Sequence, residues 1–125
     1  MSRIVTVIAI FLVVISLAVC ESVYTINVSE QVKGELQSAV EAYNKNDKEK
    51  AMKSIKKADE IWEDNTSFLD VFLVHNNVEE IAQKIISAEQ TLKYDDEYFP
   101  IECEGAIASL KIMIYSMLPY FDNIL

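Results

Sequence analysis

From Ile4 to Val19 the chain runs sixteen residues without a charge (IVTVIAIFLVVISLAV). From Ser29 onward the apolar residues are spaced instead, at steps of three and four. The first pattern is that of a segment surrounded by hydrocarbon, the second that of helices with one face in a core. Val32, Leu36, Ala39, Val40 and Tyr43 predict a helix over about 29–44. Asn44-Lys45-Asn46-Asp47 closes it, because these side chains compete for backbone hydrogen bonds and favour turns and caps. With Asp47 as N-cap, a second helix follows over about 48–64, its stripe formed by Ala51, Met52, Ile55, Ala58, Ile61 and Trp62.

Asn65-Thr66-Ser67 interrupts that stripe, and Ser67 with Asp70 has the spacing of a capping box, so a third helix is expected to start there. Its opening run, Phe68 to Val74, is apolar enough for a buried strand, but the chain offers no second strand to pair with it. A kink or restart is expected at His75-Asn76-Asn77, after which Val78, Ile81, Ala82, Ile85, Ala88 and Leu92 carry the stripe to about Lys93. Pro100 suits the first position of a fourth helix, with Cys103, Ile107, Leu110, Ile114 and Met117 on its inner face. Pro119 is expected to end it, leaving 120–125 as a tail. Four helices with short connections predict an all-α domain over 29–125, either a four-helix bundle or two stacked antiparallel hairpins of tetratricopeptide-like geometry. Residues 1–28 are left as anchor and short linker.

A sixteen-residue helix covers about 24 Å, somewhat less than the ~30 Å hydrocarbon core of a bilayer. The favoured reading is an uncleaved transmembrane helix, single-pass in the cell membrane, with Ile4 to Val19 as the contact with lipid. Arg3 is the only basic residue before Lys33, which places the amino end in the cytoplasm and the domain outside. Two alternatives stay open. Ser16 and Ala18 offer a signal-peptidase site, and Leu17-Ala18-Val19-Cys20 resembles a lipoprotein cleavage box, although Val19 is large for the position before a lipidated cysteine.

Charge narrows the partners. Beyond residue 20 lie all twenty acidic residues and ten of the eleven basic ones, a formal charge of −10. That balance disfavours nucleic acid and anionic lipid, whose affinity comes from Lys and Arg. Six lysines between Lys45 and Lys57 are interspersed with acids and predict a solvated face. Two glycines and two prolines leave little material for loops or short strands. Cys20 and Cys103 are expected to be separate thiols.

Catalytic chemistry finds little support. His75 is the single histidine, neither cysteine adjoins a basic partner, and Gly34 and Gly105 fall inside helical patterns rather than in a phosphate-cradling loop. The expectation is a non-enzymatic protein with no catalytic, cofactor or metal residues. A pairing of His75 with Glu79 could hold a metal, but a polar residue capping the restarted helix explains His75 better. Trp62, His75, Tyr94, Tyr98 and Phe99 are the candidate lining of an interaction groove between hairpins, weighed against simple core packing.

Taken over the whole chain, the short apolar segment, the hairpin with a Lys-rich second helix ending in Ile61-Trp62-Glu63, the apolar run closing on His75, the helix from Ile81 to Leu92 and the terminal Asp122-Asn123-Ile124-Leu125 resemble an uncharacterised bacterial family. Its members are short, membrane-anchored, all-helical proteins classed as a domain of unknown function. The resemblance implies fold and topology and supplies no activity. The expected function is therefore a membrane-anchored extracytoplasmic helical protein that binds another protein or itself. The alternative is a secreted or lipid-anchored acidic protein for a small cationic ligand or metal, using the surface from Asp59 to Glu104, where thirteen acids face two lysines.

Overall fold

The computed structural model describes residues 2–72 and 75–124, with side chains throughout except at 68, 70–72, 75–76 and 116–124. Four α-helices and one 3₁₀ turn follow one another: α1 (Ser2–Asn44), α2 (Lys48–Phe72), α3 (His75–Tyr94), the turn Asp96–Tyr98, and α4 (Phe99–Ile124). The described residues contain no strand.

α1 is one unbroken helix of 43 residues. It passes through residue 28, where a linker was expected, because nothing between Val19 and Ser29 breaks it: Glu21, Ser22, Thr25 and Asn27 are polar, but no glycine or proline stands among them. Its first half is exposed on every side. From Thr25 onward one face, with Val28, Val32, Leu36, Ala39 and Ala42, is buried against the other helices.

The chain reverses at Asn44–Asp47 as the pattern predicts. Asn46 takes a left-handed φ of 63°, which asparagine tolerates better than most residues. Asp47 N then donates to Ala42 O at 2.8 Å and Asn46 N to Tyr43 O at 2.9 Å. These are the two bonds of a Schellman closure, satisfying carbonyls that α1 would leave open. Asp47 also caps α2, its Oδ1 accepting from Lys50 N at 3.1 Å.

α2 does not end at Asp64. It continues through Asn65-Thr66-Ser67 to Phe72, so Ser67 opens no new helix. Asn65 Nδ2 donates to Ile61 O at 2.7 Å and Thr66 Oγ1 to Trp62 O at 2.8 Å, so both side chains bond back along the helix instead of capping a new one. Asn65 occupies the next inward position after Trp62, and Tyr24 of α1 donates its hydroxyl to Asn65 Oδ1, which satisfies the polar group there. Leu69, one heptad beyond Trp62, is again fully buried. The restart expected at His75-Asn76-Asn77 is the beginning of α3 itself. The end of the run Phe68 to Val74 lies outside the described residues.

α4 likewise runs on through Pro119 to Ile124. A proline removes one backbone donor and crowds the turn before it, but its own φ is helical and the residues after it are free to continue.

Each helix packs on its neighbours in sequence, α4 closes the ring on α1, and among the described residues the backbones of the diagonal pairs α1/α3 and α2/α4 stay apart. In stacked tetratricopeptide hairpins the third helix would rest on both of the first two; here, among the described residues, its backbone approaches α2 and not α1, and the architecture is a closed four-helix bundle. Along its axis the core stacks Leu36, Ile55, Trp62, Leu69, Ile85, Phe99 and Leu110, all fully buried. Alanines at 39, 51, 58, 88 and 106, also fully buried, let the backbones approach.

Candidate functional site

The five residues expected to line a groove divide between core and surface. Trp62 is fully buried, and its indole Nε1 donates to Val78 O at 3.0 Å, tying α2 to the first turn of α3. Phe99 is fully buried at the opposite end, its ring 5.6 Å from that of Tyr43 and tilted by 55°. Both are therefore core residues and line no open surface. Tyr94 and Tyr98, 82% and 52% exposed, flank the turn that joins α3 to α4. His75 begins α3, and its side chain lies outside the described residues, as does any pairing it makes with Glu79.

The polar features of the bundle are found elsewhere. Where the 3₁₀ turn meets the α1–α2 reversal, Lys48 and Asp96 form an ion pair, which raises the lysine pKa chiefly through its hydrogen bond to Asp96. Tyr43, Asn44, Asn46, Lys48 and Asp96 line an open depression of about 470 Å³. Its cation and its anion neutralise each other, so the depression presents no net charge to a ligand. The partner of Asp96 lies 48 positions away, and no local spacing in the sequence announces it. The lysines between 45 and 57 are exposed, as expected, with Lys57 reaching Glu35 of α1 at 3.6 Å.

Asp59 is a carboxylate whose surroundings work against its charge, as burial also does at Glu21. Half-buried on α2, it has an oxygen shut off from solvent without a hydrogen-bond partner among the described residues. Burial, then the charges of Glu63 and Glu89, raise its pKa. Thr25 and Ser29 of α1 are also fully buried, and their hydroxyls have no partner among the described residues. No group of three or more His, Cys, Asp or Glu side chains gathers to hold a metal among those residues.

Both cysteines are free thiols. Cys20 is exposed, whereas Cys103 is buried in the core, where desolvation and then Glu104 and Glu102 push its pKa up to about 12. A thiol so placed is a small apolar side chain and not a nucleophile.

The remaining conspicuous surface is apolar. Within α1 an 18-residue window has a mean hydropathy of 2.8 and no buried residue, making this helix long and apolar enough to cross a membrane.

Comparison with curated proteins and with solved structures finds no match. A family described as a domain of unknown function (DUF4363) matches residues 19–119, from the end of the apolar run to the proline of α4, and therefore takes in nearly the whole bundle. The chain belongs to this DUF4363 family.

Proposed function

We propose that the protein is a single-pass membrane protein whose acidic helical bundle stands outside the cell membrane as a non-enzymatic module for association with protein. The observation that carries this reading is the continuity of α1. The same helix that exposes Ile4 to Val19 on all sides supplies the buried stripe from Val28 to Ala42, so a bilayer around its first half would leave the bundle's core intact. Arg3 favours retention of the amino end inside.

The test is the intact mass of the membrane-extracted full chain, combined with protease digestion of whole cells. An uncut chain whose bundle is digested from outside is the expected result. Loss of residues 1–18, or of 1–19 with lipid on Cys20, would overturn the anchor.

One observation favours the alternative of an acidic protein for a cationic ligand. The unpartnered oxygen of Asp59, with Glu63 and Glu89 nearby, would gain from a cation placed among them. Isothermal titration with small polyamines and divalent metals tests it, and binding that survives Asp59→Asn would remove this basis.

A further inference from the structure

α4 is apolar on two opposite faces, and the core accounts for only one. Its inner face buries Phe99, Cys103, Ala106, Leu110 and Met113. On the outer face Ile101, Gly105, Ala108, Ile112 and Tyr115 follow at steps of four, three, four and three, all exposed, with Ile101 at 67%, Ile112 at 70% and Tyr115 at 67%. Four, three, four, three is the repeat of a helix that packs lengthwise on another helix. An apolar helix face is ordinarily covered, and this bundle covers only one of the two. Polar residues flank the stripe, Glu104 and Lys111 on one side and Glu102 and Ser109 on the other, and none interrupts it.

We infer that this stripe is the contact between two copies of the chain, packed with their α4 helices parallel. The inference rests on the anchored arrangement proposed above and specifies the partner. Lipid does not fit the whole stripe. The contact between Phe99 and Tyr43 sets α4 beside α1, running in the opposite direction. On that register Ile101 lies about 30 Å and Tyr115 about 10 Å beyond Cys20, at 1.5 Å per residue. A second copy fits by symmetry. Anchors in one bilayer give both bundles the same orientation, and a two-fold axis along the membrane normal brings every stripe residue to the height of its twin.

The order of sizes suits that contact. Gly105 and Ala108 stand at the middle, where crossing helices come closest, while Ile101, Ile112 and Tyr115 lie toward the ends, where the helices diverge and larger side chains fill the gap. Nothing inside the bundle requires a glycine at 105, since a Cβ there meets no atom within 4 Å. A close external neighbour gives the missing side chain a purpose.

The test uses the full chain in native membranes with Cys20→Ser, leaving buried Cys103 as the only native thiol. Ala108→Cys is compared with Gln90→Cys, which is exposed on α3 away from the stripe, under a short oxidative cross-linking pulse. The expected result is a band at twice the chain mass, formed at least about tenfold faster from Ala108→Cys and abolished by adding Gly105→Leu. The leucine points into open space in the single bundle, so an unchanged circular dichroism spectrum separates lost contact from lost fold. Equal rates at both positions, indifference to Gly105→Leu, or an adduct with a different protein would overturn the inference. The mass of the carbonate-washed membrane pellet reports the anchor separately. An anchored chain that fails to cross-link refutes only the pairing, whereas a processed, soluble chain refutes the anchor and the parallel arrangement together.

Discussion

Trp62 is the chain's single tryptophan, and its replacement by phenylalanine tests the core where α2 meets the start of α3. The substitution keeps a ring in place but empties about 40 Å³, worth about 1 kcal/mol at ~24 cal/mol per Å³ of unrelaxed cavity. The apolar area withdrawn from the core, roughly 40 Å², adds about another 1 kcal/mol. The lost hydrogen bond to Val78 O contributes at the low end of its usual range, about 0.5 kcal/mol, since that carbonyl keeps its donor within α3. The total is about 2–3 kcal/mol, which in a bundle of this size lowers the melting midpoint by roughly 10–20 °C. Denaturation of the full chain in detergent, followed by circular dichroism at 222 nm, measures it. The wild-type indole should also emit as a buried fluorophore and resist iodide quenching. A destabilisation below about 0.5 kcal/mol, or an indole open to iodide, would refute the placement of Trp62 in the core.

Asp59→Asn is expected to raise the melting midpoint at pH 7. The carboxylate's raised pKa means that the folded state is penalised above that pKa and relieved as the pH falls through it, so the gain should shrink toward pH 4; melts across that range check the trend. Gly34→Ala should stabilise by about 0.5–1 kcal/mol through helix propensity alone, because a Cβ at Gly34 meets nothing within 4 Å; a urea midpoint that falls would contradict the open space described there. Maleimide labelling of the native chain at neutral pH should modify Cys20 and spare Cys103 until the bundle is unfolded, as peptide mass mapping would show.

The parts of the fold that follow from periodicity were legible in the sequence. The stripes of Leu36, Ile55, Ile85 and Leu110 point to helices, and the Asn44–Asp47 reversal follows from residues that cap and turn. Where polarity intruded on a stripe, the sequence misled. Asn65 looks like a break because its partner, Tyr24, lies 41 positions earlier and becomes a neighbour only when α1 and α2 are paired. Thr66 and Ser67 have the same chemistry whether they cap a new helix or bond back to the one they are in. The core placement of Trp62 and Phe99 was hidden for a related reason: both carry the signature of large aromatic rings, which serves a core and a binding face equally, and only burial separates the two. The outer stripe of α4 was present in the sequence but was hidden by the inner one, since a helix apolar on two sides shows no single periodic face.

The unbroken α1 gives the bundle a mechanical character. About 36 Å of the helix extends beyond Cys20 to the reversal at Asn44, without a break along it. In the anchored arrangement the helix acts as a lever with its fulcrum at the membrane surface. A tilt of ~20°, ordinary for a membrane helix adjusting to bilayer thickness, would sweep the far turn sideways by about 12 Å. Changes in lipid thickness would thus be converted, without any rearrangement of the core, into displacement of Tyr94, Tyr98 and the Lys48–Asp96 pair at the distal tip.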